Sequence, residues 1–392
     1  MFINLKIMKL SILYKEFFNS EKSGGIILVL GTVISLFLAN SAFSTEYTSF
    51  WNTQLAGYTI AHWINDGLMA VFFLLIGLEL EREIYLGELS SLKNAAFPFF
   101  AAIGGMVLPA ALFTFFNFGT EFQNGTGIPT ATDIAFAIGI LALLGNKVPL
   151  SLKIFLTALA VIDDLGAIII IAIFYSKSLS LINLGIALGI FAVLIILNRS
   201  KVHNIIPYIL GGIAMWYFMH HSGIHATITG VMLAFAIPFT NGGKKSPSYQ
   251  LQHALHKPVA FVILPLFAMA NTGIIIGSDW AAGLAQSNSL GIMLGLVIGK
   301  PLGIILFSLL GVALGFCVIP SDLKWKNILG VGFLGGIGFT MSIFITILAY
   351  DDQTIINNSK IAILLASLVA GVIGYTFMKL TLKETVIDEE EE

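Results

Sequence analysis

Apolar stretches of about 20 residues, separated by short polar segments, recur along almost the whole chain of 392 residues. A helix that crosses a bilayer needs about 20 mostly apolar residues, and it satisfies its own backbone hydrogen bonds in lipid. Only 11% of the residues are charged, against about 25% in soluble domains. The pattern predicts an all-α polytopic membrane protein with twelve transmembrane helices. With approximate ends, these are Gly24–Asn40, Thr59–Leu78, Ala95–Phe116, Gly127–Leu144, Leu150–Tyr175, Leu181–Leu197, Ile205–Met219, Gly223–Phe239, Val259–Ile276, Leu290–Gly311, Ile328–Tyr350 and Ile361–Leu380.

The basic residues indicate how these helices are oriented. With the N-terminus in the cytoplasm, 17 of the 20 Lys and Arg residues fall on the inside, Lys177 and Lys360 fall outside, and Lys300 lies within a span. Cytoplasmic loops carry an excess of Lys and Arg. We therefore predict one transmembrane domain over residues 1–392 with both termini cytoplasmic, an N-terminal segment of about residues 1–23, and an acidic tail of about residues 384–392.

Several classes of function are disfavoured by composition. The net charge is −2 and the sequence has no basic stripe, so no nucleic-acid partner is expected. The lone Cys317 rules out an internal disulfide and a multi-cysteine metal site. We expect no resident cofactor and expect the lipid bilayer as the surroundings.

Two predicted spans are interrupted by helix-breaking residues. The fourth contains Pro129 followed by Thr132 and Asp133; proline removes an N–H donor, and Thr and Asp cap new helices. The eleventh has five glycines between Gly330 and Gly338, which make a continuous helix unfavourable. Paired interruptions in the two halves of a transporter point to a midplane binding site. The alternative is that these glycines permit tight helix packing.

Ionisable residues stand inside these apolar stretches at Asp66, Asp133, Asp163, Asp164 and Lys300. A charge at bilayer depth costs about 2.5–3.5 kcal/mol by insertion scales, so several such residues indicate ion or proton movement. Interrupted helices present partial positive N-termini and partial negative C-termini. We expect Asp133 to compensate the former and Lys300 the latter.

The adjacent pair Asp163 and Asp164 has a different requirement. Neighbours on a helix diverge by about 100°, yet both side chains can line one cavity between helices. Desolvation and mutual repulsion disfavour ionising both, so either a proton or a cation such as Na⁺ or Li⁺ would neutralise the pair. Competition between the two is an exchange mechanism; the alternative is a structural polar pair. A salt bridge from Lys300 to one aspartate is expected, whether Lys300 carries protons or only compensates charge.

Two other classes of function were weighed. An intramembrane aspartyl protease would use two aspartates on separate helices, such as Asp133 and Asp163, whereas a prenyltransferase would need a further acid beside Asp164 and a wet, loop-borne site. A passive channel would need a continuous polar path, and the spans offer little polar lining. An ion exchanger that is not an enzyme fits better.

At these residues the chain resembles the NhaA-type bacterial Na⁺/H⁺ antiporters. The resemblance implies twelve spans with an inverted repeat, in which spans three to five mirror ten to twelve, and two crossed, interrupted helices. It also implies electrogenic, pH-regulated exchange of two H⁺ for one Na⁺ or Li⁺, a bacterial inner-membrane location and a homodimer assisted by the first outer loop. The segments that carry it are Trp63–Phe73, Ala131–Ala137, Ala160–Ala167, Ser222–Thr227, Gly299–Gly303 and Gly335–Ser342.

The same resemblance implies roles for individual residues. Asp163 and Asp164 match the cation- and proton-binding pair, and Asp133, Lys300 and Thr132 match the groups beside the crossed half-helices. The pH-sensing region corresponds to Glu79, Arg82, Glu83, His225 and the segment from Gln252 to His256, which includes His253. Family members often have glutamate where this chain has Gln252.

Some of these residues have another reading from the sequence alone. Glu79, Arg82 and Glu83 can be a solvated helix end, His253 and His256 can titrate near neutrality, and His225 can be a packing residue. The outer loop from Ser41 to Tyr58 is either an interfacial aromatic belt or a small hairpin that pairs with another subunit.

Overall fold

The computed structural model describes residues 21–176, 179–278 and 280–382. Most of the predicted N-terminal segment, the acidic tail and Lys177 lie outside these residues. The described chain is helical apart from one short hairpin and the connecting loops. Its helices are α1 (Glu21–Ala39), α2 (Ser44–Asn52), α3 (Ile60–Tyr85), α4 (Leu92–Asn117), α5 (Ile134–Ala142), α6 (Leu150–Phe174), α7 (Leu181–Arg199), α8 (Ile206–His220), α9 (Ile228–Ala236), α10 (Pro247–Asn271), α11 (Trp280–Leu284), α12 (Ser287–Ala313), α13 (Trp325–Gly335), α14 (Phe339–Ala349) and α15 (Gln353–Thr381).

Many of these helices can cross a membrane. Within the described ranges, eight helical stretches are long and apolar enough, among them Gln123–Ala142, which contains extended residues before α5. Two bent pairs meet the same criterion. The pairs are α1 with α2, bent by 115°, and α13 with α14, bent by 47°. Two predicted spans correspond to shorter helices, since α8 has 15 residues and α9 has nine. Gly223 adopts a positive φ of 85°, so the α9 region starts as a turn rather than as helix.

The last helix begins before the predicted span. Lys360, which is predicted in an outside segment, lies inside α15 and is only 8% exposed; the side of the membrane on which it lies stays a prediction. The helix begins earlier than hydropathy indicates because the Asp352 side chain accepts hydrogen bonds from the N–H groups of Thr354 and Ile355. Side-chain capping of this kind starts a helix in polar sequence. Similarly, α10 begins at Pro247, twelve residues before the predicted Val259, since proline is favoured in a first helical turn.

The first outer loop forms a helix and a hairpin. Strand β1 (Gln54–Leu55) pairs antiparallel with β2 (Tyr58–Thr59). Ala56 and Gly57 between them both have positive φ, 51° and 91°, which is typical of a tight two-residue hairpin turn. A hairpin is therefore present in this loop; its pairing with another subunit stays a prediction.

The closest approach between two long helices positions Lys300. Gly104 of α4 faces Gly303 of α12, and a methyl group on either would overlap the backbone of the other. Such small residues let helix backbones approach in membranes. A π-helical turn at Gly295–Gly299 directly precedes Lys300, and turns of this kind are frequent at functional sites.

Candidate functional site

The first interruption gives Asp133 its position. A 3₁₀ segment, Gln123–Thr130, contains Pro129 and is followed by extended residues before α5 begins. The Asp133 carboxylate accepts a hydrogen bond from Phe136 N–H at 2.9 Å, so Asp133 is the N-cap of α5. The sequence predicted both the interruption and its cap.

The second interruption contacts the first. Helix α13 ends at Gly335 and α14 begins at Phe339. Asp133 N–H donates to the Ile337 carbonyl at 2.6 Å, and the Thr132 hydroxyl donates to the Gly335 carbonyl at 2.8 Å. In the other direction, Thr340 donates to the Asp133 carboxylate through its N–H at 3.1 Å and its hydroxyl at 2.5 Å. The two interruptions are thus joined by hydrogen bonds in both directions.

These bonds place one carboxylate at two helix N-termini. Asp133 is 2% exposed, and it accepts from the first turns of α5 and α14. Each N-terminus carries about half a positive charge. The Asp133 carboxylate therefore lies where the sequence predicts a negative charge, and it accepts from N–H groups at both helix N-termini. Its role in charge compensation stays a prediction.

Lys300 links the first interruption to the acidic pair. Its ammonium lies 2.5 Å from Asp163 Oδ2 and also donates to the Thr130 carbonyl, at the end of the 3₁₀ segment. Both side chains are 1% exposed. Lys300 thus faces a carbonyl end, where a positive charge is stabilised, and it forms the expected salt bridge, with Asp163 rather than with Asp164.

Asp164 has no such partner. Its side chain is 0% exposed, and among the described residues neither of its carboxylate oxygens has a hydrogen-bond partner, nor does Asp163 Oδ1. Asp164 also interacts electrostatically with Asp163, Asp133 and Glu79. Buried carboxylate oxygens without partners are costly, and a proton or a hard cation would satisfy them.

A cavity of about 370 Å³ lies at the start of α6, the helix that carries this pair. Its lining includes Glu83, Gly87, Leu141, Lys153 and Thr157. Thr157 precedes Asp163 by six residues, which is about 9 Å along a helix. The cavity and the acidic pair therefore lie along the same helix, with Glu83 in the cavity wall.

Part of the predicted pH-sensing region forms one cluster where α3 meets α10. Glu79 hydrogen-bonds to Gln252 and interacts electrostatically with Glu83. The Arg82 guanidinium lies 4.9 Å from the Tyr249 ring centre, and the Tyr249 ring stacks on His253 at 5.7 Å. Gln252 therefore contacts Glu79 directly.

The remaining predicted pH-sensing residues lie apart. His256 is exposed on α10. His225 Nε2 lies 2.8 Å from the Tyr175 carbonyl, at the end of α6 opposite the cavity. Asp66 is also remote from Asp163, and its carboxylate lies beside His62 and His220.

Sequence reasoning assigned no role to Thr340 or to the Ile337 carbonyl. Thr340 was noticed within the glycine-rich motif, and the parallel between Thr132 after Pro129 and Thr340 after Gly338 is a signal that could have identified it. Ser342 similarly donates to the Ile128 carbonyl at 2.7 Å. A carbonyl partner carries no sequence signal.

Comparison with known proteins agrees with this geometry. Residues 15–378 match the family described as Na⁺/H⁺ antiporter 1. Proteins named Na(+)/H(+) antiporter NhaA are similar to the chain: one from Flavobacterium psychrophilum is 65% identical over 97% of the chain and 99% of its own length. One from Cytophaga hutchinsonii is 62% identical over 97% and 99%, and one from Vibrio cholerae is 48% identical over 95% and 99%. The relatives are named as transporters, not as enzymes, and the resemblance inferred from the motifs is confirmed. The chain is a multi-pass membrane protein that belongs to the Na⁺/H⁺ antiporter 1 family.

Proposed function

We propose that the chain exports Na⁺ or Li⁺ in exchange for protons, with Asp163 and Asp164 as the shared binding site. The observation that carries this proposal is the fully buried Asp164 carboxylate, whose oxygens have no hydrogen-bond partner in the described chain, beside two hydrogen-bonded helix interruptions. The names of the relatives support sodium and protons as the substrates.

Binding of one substrate excludes the other. Na⁺ and Li⁺ are hard cations that take oxygen ligands, as the alkaline-earth ions do, and the pair offers three unpartnered carboxylate oxygens. A proton on the same oxygens removes the charge that attracts the cation, and a bound cation disfavours protonation. Loading on one side of the membrane and release on the other then gives exchange. No resident cofactor takes part.

Two protons entering for one sodium leaving would move one net positive charge inward. That charge movement is worth about 2.3 kcal/mol per 100 mV, so the membrane potential as well as the proton gradient drives sodium out. The family resemblance supports this stoichiometry, and the two carboxylates of the pair are sufficient to carry both protons.

We further propose twelve spans with both termini in the cytoplasm of a bacterium, in the inner membrane. The eight long helical stretches, α1, the bent pair α13–α14 and the shorter α8 and α9 add up to this number. An inverted repeat would relate α4 to α12 and α6 to α15, with the two interrupted spans crossing between them. The close contact of Gly104 with Gly303 supports a symmetric centre.

The cluster of Glu79, Arg82, Glu83, Gln252 and His253 is proposed to set the pH range of exchange for sodium and pH homeostasis. Glu83 of this cluster lines the cavity at the start of α6, and Glu79 acts electrostatically on Asp164. His225 and His256 are the less direct members of the proposed region. Replacing Gln252 with Glu puts a second carboxylate against Glu79, so the pH of half-maximal exchange should move. Gln250→Glu, the same change at an exposed position of α10, is the control.

A homodimer is the remaining proposal. The hairpin β1–β2 presents an exposed edge at Gln54 and Leu55, and exposed strand edges pair readily with another chain. Deleting the hairpin, Gln54 to Thr59, should lower the dimer fraction measured by light scattering in detergent.

The exchange proposal is tested by sodium-induced proton release from purified protein in detergent. Wild-type protein should release protons when Na⁺ is added, whereas Asp163→Asn and Asp164→Asn should not. Asp322→Asn, at an exposed position, is the matched control and should behave as wild type. Release of protons by Asp164→Asn at the wild-type level would refute the assignment. In proteoliposomes, the sign of the current after a sodium jump checks the stoichiometry.

A further inference from the structure

A second cluster of ionisable groups lies away from the acidic pair. His62 is in the first turn of α3, Asp66 follows four residues later, and His220 is the last residue of α8. Asp66 Oδ2 lies 3.6 Å from His62 Nε2 and 3.2 Å from His220 Nδ1. Three potential ligand atoms from two helices thus converge on one point.

The separations fit a tetrahedral metal ion. With bonds of about 2.0–2.1 Å, two ligand atoms of tetrahedral zinc are roughly 3.3 Å apart. The two distances to Asp66 are close to this value, and all three ligand atoms lie within 4.8 Å of one another. A small movement of one histidine ring would complete the geometry.

One of the three potential ligand atoms, His62 Nε2, is buried and has no hydrogen-bond partner among the described residues. The side chains of His62, Asp66 and His220 are nevertheless 33%, 20% and 19% exposed, so an ion can reach them from solvent. A buried nitrogen aimed at a carboxylate, without a bond to it, is the arrangement expected of a ligand.

Aromatic residues hold the three ligands in place. Tyr58 stacks on the His62 ring at 4.5 Å, and Trp216 stacks on the His220 ring at 5.7 Å. The Trp216 indole also donates to the Asp66 carbonyl at 3.1 Å. A π-helical turn, Trp63–Leu68, contains Asp66. Contacts that orient ligands in this way favour metal binding.

The donor set separates this cluster from the sodium site. Asp66 precedes Glu79 by 13 residues on α3, about 20 Å along the helix. Two imidazoles and one carboxylate suit zinc and related transition metals, whereas alkali cations prefer oxygen alone. Catalytic-type zinc sites have three protein ligands and one open position, and three ligands are present here.

We propose that His62, Asp66 and His220 bind one divalent transition-metal ion of the Zn²⁺ class. The bound ion ties the start of α3, whose other end carries the Glu79 cluster, to the end of α8. This inference does not depend on the proposed exchange, because binding is measured without transport.

Zinc binding is measured directly on full-length protein in detergent, purified without a polyhistidine tag and equilibrated with ZnCl₂. Wild-type protein should bind one Zn²⁺ per chain. His62→Phe and His220→Phe keep the ring stacks but lose the ligand nitrogens, and each should weaken binding at least tenfold. His221→Gln, next to His220 in sequence but with Nδ1 directed at the Tyr217 carbonyl, is the matched control.

Thermal unfolding without zinc checks that the variants fold. Wild-type protein and the His221 variant should gain melting temperature when zinc is added, and the two phenylalanine variants should not. The proposal is overturned if wild-type protein binds no zinc, or if His62→Phe and His220→Phe bind it as tightly as wild type. Sodium-induced proton release by the same variants reports separately on exchange.

Discussion

Replacing Lys300 with methionine removes the cation that Asp163 contacts at 2.5 Å, while a side chain of similar length still fills the space beside Gly105 and Gly335. Both charged groups are 1% exposed, so water does not take the place of the ammonium. Removing one partner of a buried ion pair costs about 3–5 kcal/mol, because the other charge is left uncompensated. We expect a loss of stability of this size.

The loss comes from the orphaned charge rather than from the missing methylene packing. The double variant Lys300→Met with Asp163→Asn removes both charges, and replacing a whole buried pair is often neutral or stabilising. The double variant should therefore be more stable than Lys300→Met alone. A double-mutant cycle isolates this coupling.

Thermal unfolding in detergent is the assay. An unfolding entropy of about 2.1 cal/mol/K per residue over 392 residues converts the loss into a fall in melting temperature of roughly 4–6 °C. If the two single-variant shifts simply add in the double variant, the charges are not coupled and the reasoning is refuted.

Three further outcomes follow from other contacts. Gly303→Ala should lower the free energy of unfolding by about 1–3 kcal/mol, because the added methyl group overpacks the contact with Gly104. Gly189→Ala on α7, where the added methyl group meets open space, should be neutral or stabilising by up to about 1 kcal/mol. Equal melting temperatures for the two variants would contradict the close approach of α4 and α12. Asp133→Ala should be about 1–2 kcal/mol less stable than Asp133→Asn, which keeps an acceptor for the helix N-termini, as urea or thermal unfolding can determine. Backbone N–H groups hold the pKa of the Asp352 carboxyl below its ordinary 3.8. The stabilisation that the ionised Asp352 gives the folded state is therefore complete above the ordinary pKa and is lost as the pH falls through the lower folded-state pKa. The melting-temperature difference between wild type and Asp352→Ala should accordingly shrink on acidification and vanish at low pH.

The features that sequence could predict were those dictated by the solvent. Lipid requires long apolar helices, so the approximate positions of the long helices follow from hydropathy. Pro129 with its following cap residues, and the clustered glycines from Gly330 to Gly338, weaken a helix locally, which is why both interruptions were predicted. The position of Asp133 at helix N-termini was predicted correctly, because a carboxylate beside a helix interruption accepts hydrogen bonds from N–H groups that have no partner within their own helix.

What escaped prediction depends on distant contacts. Nothing in the run Asp163-Asp164 indicates which carboxylate meets Lys300, 136 to 137 positions away along the chain, because that choice is made by the rotation of α6 against α12. The π-helical turns at Trp63–Leu68 and Gly295–Gly299 have no clear local signature. The start of α15 was predicted too late because hydropathy ends a span at a lysine, whereas packed neighbouring helices can cover the Lys360 side chain.

The reciprocal bonds between Thr132–Asp133 and Gly335–Thr340 constrain how the molecule can move. Pulling the two interrupted spans apart would expose several polar groups in a dry interior, at about 1–3 kcal/mol for each one left unsatisfied. The two interrupted spans should consequently move together as one rigid body. Alternation of the aspartates between the two faces of the membrane would then come from sliding of the surrounding helices past this fixed block, and not from opening of the block itself.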